Sequence, residues 1–124
     1  MSDQLKFTKD HEWVSSIQGS IARVGITSYA VESLHGIVFV SLPTVGQQVS
    51  QGEVVAEVES TKAVSEVFSP LDGVVVTVNN DAATNPDLVN DDPWQAGWLF
   101  EIDMSDTAQI DTLLDRQAYD EHLK

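Results

Sequence analysis

The chain contains no cysteine, which removes disulfides, thiolate metal ligands and thiol nucleophiles together. Any redox-active sulfur it uses must come from outside the polypeptide. Positive charge is scarce: six Lys and Arg stand against twenty Asp and Glu, for a formal net charge of -14. That balance repels phosphate backbones and anionic lipid surfaces, so neither nucleic acid nor a membrane is expected as a partner. Long apolar runs are missing; the longest, at 37–40 and 74–76, are strand-sized. Residues 1–10 mix Lys with Asp and hold no apolar leader core, so a cytoplasmic location is expected. The familiar catalytic signatures are absent as well: there is no GxGxxG, P-loop lysine motif, GxSxG elbow, HExxH or EF-hand loop. His11, His35 and His122 lie far apart and read as isolated surface or structural residues, not ligands. Acidic pairs such as Asp91 with Asp92 and Asp10 with Glu12 read as solvated surface. Neither a metal site nor a self-sufficient active site is expected.

What is present is core material and turn punctuation. The 124 residues make about one domain, and 42% are hydrophobic and interleaved along most of the length, so the acidity belongs to a surface and not to disorder. Gly19, Gly25, Gly36, Pro43 with Gly46, Gly52, Pro70 with Gly73, and Gly97 recur at short intervals. Between them lie short Val-, Ile- and Phe-rich runs at 21–24, 37–42, 53–59, 64–68 and 74–78, the strand-turn rhythm of a sandwich or barrel. An Asn/Asp/Pro-rich stretch at 79–93 reads as loop. Two segments read as helical: 27–34, with Thr27 at its start and Gly36 beyond its end, and a stretch near the C-terminus. In the latter, Ile110, Leu113 and Leu114 fall at i, i+3 and i+4, and Asp115 can cap a fresh start before 118–123. The runs after Gly36 and Gly73 echo each other, as two β-units facing across a sandwich would.

Of the four lysines, Lys6, Lys9 and Lys124 lie near the termini and only Lys62 is interior. It stands between two alternating runs, 53–59 and 64–68, that flank a tight polar centre at 60–63. This places its ammonium at the tip of a hairpin, where an enzyme that acylates one particular amine can reach it. Position and scarcity alone do not separate such a handle from an ordinary exposed lysine, since lysine is a surface residue by default.

The run Glu59-Ser60-Thr61-Lys62-Ala63 resembles a lipoyl-attachment motif. Biotinyl domains share the architecture but flank their lysine with methionines, where this chain has Thr61 and Ala63. Over nearly its whole length the sequence resembles the glycine cleavage system H-protein family. The matching blocks are Phe7-Thr8-Lys9-Asp10-His11-Glu12-Trp13-Val14, Val24-Gly25-Ile26-Thr27 with Tyr29-Ala30, Ile37-Val38-Phe39-Val40-Ser41-Leu42-Pro43, the lysine run continuing to Ser69-Pro70 and Gly73, then Asn85-Pro86-Asp87-Leu88-Val89-Asn90, and Asp92-Pro93-Trp94 with Gly97-Trp98-Leu99. Two departures are Gly36, where the family usually has an acidic residue, and Ser41, where Glu is common.

The resemblance implies a mainly β barrel-sandwich hybrid of two small antiparallel sheets with a lipoyl-lysine hairpin and short helices, one near the C-terminus, forming a single carrier domain over 1–124. It also implies a non-catalytic carrier with lipoate in amide linkage to Lys62. The arm would take the aminomethyl group of glycine from the glycine decarboxylase (P protein) to the tetrahydrofolate-dependent aminomethyltransferase (T protein). Dihydrolipoamide dehydrogenase (L protein) would then reoxidise it, and lipoyl-attaching enzymes would load it. A relay of lipoate to other lipoyl domains is the alternative role. Finally, the loaded arm is expected to fold back near His11-Glu12-Trp13, with Glu12 the preferred carboxylate for its ammonium and Asp10 and Glu66 as nearby candidates.

Overall fold

The computed structural model describes residues 5–123. Among the described residues, nine strands form two wholly antiparallel sheets. The larger is built from β1 (Lys6–Phe7), β2 (Glu12–Gln18), β3 (Ile21–Ile26), β5 (Gln48–Val49), β8 (Gly73–Val78) and β9 (Phe100–Met104), in the order β1-β2-β3-β9-β8-β5. The smaller is β4 (Phe39–Ser41), β6 (Val54–Glu59) and β7 (Val64–Phe68), in the order β4-β6-β7. The chain is thus mainly β, as expected, although the sheets are unequal. The echoing runs after Gly36 and Gly73 fall in opposite sheets.

Alternation decides which face each strand buries. In β8, Gly73 and Val75 are buried while Val74 and Val76 are exposed. In the small sheet, Val40 pairs with Val58 and Ala56 with Val67, all four turned inward. They meet Val14, Ala22, Val24, Phe100 and Ile102 of the large sheet in one core. At roughly 25 cal/mol per Å² of apolar surface, each fully buried Val, Ile or Phe contributes on the order of 2 kcal/mol before the entropy of ordering the chain.

Gly73 begins β8 with no positive φ; what it supplies is closeness. A Cβ there would collide with the backbone oxygen of Asp103 on the neighbouring strand and meet Ile102 Cγ2 at 2.6 Å. The turn expected at Gly73 is therefore a strand start under tight inter-strand approach. Gly25 serves β2 in the same way: it pairs with Trp13, whose indole lies where a side chain would be, and Trp13 Nε1 donates to Pro93 O at 2.9 Å.

The helices partly correct the sequence reading. Helix α1 (Ser28–Leu34) starts at Thr27, whose hydroxyl accepts from Ala30 N, and ends at His35 in the left-handed region just before Gly36. The stretch at 79–93 is not all loop, since it holds α2 (Asn80–Thr84) and α3 (Asp87–Asp91), which bury Ala82 and Val89. Five-residue helices rich in Asn and Asp carry the composition of turns. From α3, Asn90 accepts from Ile37 N at 2.8 Å and donates to Ile37 O at 3.0 Å, fixing the approach to β4.

Near the C-terminus, Ile110 lies in a 3₁₀ helix (Thr107–Thr112), but Leu113 and Leu114 are not helical. Leu114 instead exchanges two 2.8 Å backbone hydrogen bonds with Phe7, which draws the chain out straight. Asp115 is a cap, as expected: its carboxylate accepts from Ala118 N at 2.8 Å and opens α4 (Arg116–His122). Tyr119 of α4 stacks on Phe7 with ring centres 4.6 Å apart, in a second apolar cluster with Trp13. No described helix is long and apolar enough to cross a membrane.

Candidate functional site

Strands β6 and β7 close on the pair Glu59 and Val64, and residues 60–63 make the turn between them. Ser60 organises it. Its backbone N donates to Ala63 O at 2.8 Å, and its hydroxyl oxygen accepts from Lys62 N at 3.2 Å and from Ala63 N at 3.1 Å. A serine side chain substituting for backbone partners in this way fixes a tight turn without glycine. Below it, Glu59 O accepts from Val38 N at 2.7 Å, tying the hairpin to the approach of β4. Thr61, Lys62 and Ala63 are exposed. The result is a primary amine on a flexible stem above a rigid base, which is the geometry that acylation of Lys62 requires.

An open groove of about 560 Å³ runs beside β7, lined by Lys9, Asp10, His11, Glu57, Val64, Ser65, Glu66 and Phe68. The structure therefore brings Asp10 and Glu66 together. Glu12 lies deeper, 1% exposed, in an adjoining cavity of about 260 Å³ that shares Lys9, Asp10 and Phe68 with the groove. The sequence reading of Glu12 as solvated surface is thus corrected. Strand β2 carries it inward, where the Thr8 hydroxyl donates to one carboxylate oxygen at 2.7 Å and Phe68 N donates to the other at 3.0 Å. Burial pushes its pKa up from 4.5 to about 7, against those two hydrogen bonds.

The histidines are not all isolated either. The rings of His11 and His122 lie 6.0 Å apart, far closer than their sequence separation suggests. His11 has a φ of 72°, a left-handed conformation uncommon outside glycine. It is held there by Thr27 N donating to its carbonyl at 2.9 Å, by its Nδ1 at 2.8 Å from Tyr119 Oη and by the Tyr29 ring 4.6 Å away. Burial and the neighbouring His122 lower its pKa, partly offset by Asp10. Of the groove residues, His11 stood in the expected fold-back segment, whereas Lys9, Glu57, Val64, Ser65 and Phe68 were not singled out from the sequence as cleft residues. The two cleft walls come from segments more than forty residues apart, and only the run at 8–12 hints at the first.

A β-sandwich that lifts a lysine on an exposed hairpin beside an acidic groove has the arrangement of a carrier domain. Comparison with known proteins gives the particular kind. The family model described as Glycine cleavage H-protein matches residues 5–124. A glycine cleavage system H protein of Thermotoga maritima is 51% identical over 94% of this chain and 93% of the relative, and one of Clavibacter sepedonicus is 50% identical over 96% and 95%. The crystal structure of a glycine cleavage system H protein from Mycobacterium marinum superposes with a TM-score of 0.88 at 40% identity, covering 99% of this chain and 98% of that one. The chain belongs to the glycine cleavage H-protein family.

Proposed function

We propose that the chain, as one unit over 1–124, is the lipoyl carrier of a glycine cleavage system, with lipoate in amide linkage to Lys62 and the run from Glu59 to Ala63 as the attachment motif. The observation that carries this reading is the exposed Lys62 on a turn fixed by Ser60, within the family's own motif. Bound there, lipoate would supply the disulfide that takes up the aminomethyl group left by glycine decarboxylation, for delivery to the tetrahydrofolate-dependent aminomethyltransferase, with dihydrolipoamide dehydrogenase as the reoxidising partner. The polypeptide catalyses none of these reactions. We place them in the cytoplasm, a reducing compartment that suits a chain without cysteine.

The chain's own groups shelter what the arm brings. Asp10 and Glu66 give the groove its negative wall, and an ammonium entering it finds counter-charge there. Glu12, with a pKa near neutrality, is poised to give its proton to an arriving amine and to hold the ammonium so formed. A cation beside that carboxylate reverses the effect of burial and favours the ionised form. At about 4 Å in a partly screened site, such a pair contributes on the order of 1 to 4 kcal/mol.

Lys62→Arg tests the reading. The variant should keep its fold, change stability by no more than about 0.5 kcal/mol as surface substitutions do, gain no lipoyl mass, and support no glycine cleavage with the other components. Full activity of the variant would refute the carrier role.

A further inference from the structure

The outer face of the small sheet carries two apolar side chains flanking a glutamate next to the lysine and is acidic further away. Phe39 of β4, Glu59 of β6 and Val64 of β7 stand in one cross-strand row, because Phe39 pairs with Glu59 and Glu59 with Val64. Phe39 is 51% exposed and Val64 58% exposed, and Val38 beside them is 56% exposed. The next outward row is Ser41, Glu57 and Glu66. Among the described residues none of the three glutamates on this face is in an ion pair. With two strand spacings between them, Phe39 and Val64 lie roughly 10 Å apart, wide enough to fill one socket.

We propose that this row is the seat of the enzyme that acylates Lys62, which grips Phe39 and Val64 in an apolar socket rimmed by Lys or Arg facing Glu57, Glu59 and Glu66. The inference rests on Lys62 being the lipoylated residue. In acylation the Nζ itself, as free amine, attacks the carbonyl carbon of a lipoyl adenylate; the N–C bond forms, the C–O bond to AMP breaks, and the amine proton passes to a base of the partner. The lysine stem is four carbons long, so the partner's active site must come down onto the hairpin and cover whatever borders it. Enzymes that meet the loaded arm work at the far end of the acyl chain and can stand further off. Apolar area covered by the acylating enzyme supplies affinity, and glutamates around it select a basic rim and speed encounter.

The test follows initial rates of lipoylation by a purified lipoate–protein ligase with lipoate and ATP, read by intact mass over a range of carrier concentrations. Phe39→Lys, Val64→Lys and Glu59→Lys should each lower kcat/KM about tenfold or more, chiefly through KM, with melting temperatures near that of the parent. Val64→Thr, which keeps the shape and the strand preference, should give a smaller loss in the same direction. Val74→Lys, at a valine 38% exposed on the other sheet, should behave as the parent. Once acylated at high enzyme concentration, the Phe39 variant, whose side chain lies outside the groove, should exchange carbon dioxide with glycine decarboxylase at the parent rate. Unchanged KM for the Phe39 and Val64 variants would overturn the proposal. Normal acylation with lost exchange would also overturn it, because the occupant would then be the decarboxylase. An unmodified parent protein would instead refute the assignment of Lys62.

Discussion

Glu12 and Ser60 carry the most consequence per residue. A carboxyl whose pKa is raised by folding from 4.5 to about 7 takes up a proton in the native state that the unfolded chain has already lost. Its contribution to stability is therefore fullest below about pH 4.5 and is lost as pH rises to about 7, in all about 3 kcal/mol. Glu12→Gln should remove that window: urea unfolding from pH 5 to 8 should show the parent losing stability relative to the variant as pH rises. A difference that does not vary with pH would show that Glu12 is not the titrating group. At the hairpin, Ser60→Ala removes the acceptor for two backbone N–H groups and is expected to cost about 1 kcal/mol, with faster hydrogen exchange at Lys62 and Ala63. Lys62 was legible from scarcity and spacing, and the motif gave it a role. The state of Glu12 was not legible, because whether a carboxylate is wet depends on Thr8 and Phe68, and Phe68 arrives from another sheet.

Among the elements, those with strong alternation were visible beforehand, and those whose existence depends on distant partners were not. The run 64–68 became β7 unchanged and 53–59 became β6 with one residue fewer. By contrast, Leu113 and Leu114 have helical spacing, yet Leu114 pairs with Phe7, more than a hundred residues earlier in the chain. A local pattern cannot outweigh two backbone hydrogen bonds to a distant strand that it does not contain. Gly73 read as a small residue at a turn, needed either for a positive φ or for close backbone approach, and it is the second that holds, at the Asp103 carbonyl across the sheet. Gly73→Ala should therefore destabilise by about 1 to 3 kcal/mol, the usual cost of forcing a methyl into a filled space. Equilibrium denaturation measures it, and a change below about 0.5 kcal/mol would mean that the strands separate easily.

At the scale of the molecule, charge is the property the sequence states most plainly. A formal net charge of -14, becoming -15 when the ammonium of Lys62 is lost to an amide, favours fast and short encounters with partners whose active-site mouths are basic. Stopped-flow association with the decarboxylase should slow on the order of tenfold between low and high salt, with a much smaller effect on dissociation. The central claim is that this fold exists to hold one modified amine. Peptide mass spectrometry of the protein purified from cells that make lipoate tests that claim most directly: a lipoyl group on the peptide containing Lys62, and on no other lysine, is the expected result, and an unmodified Lys62 in such cells would contradict it.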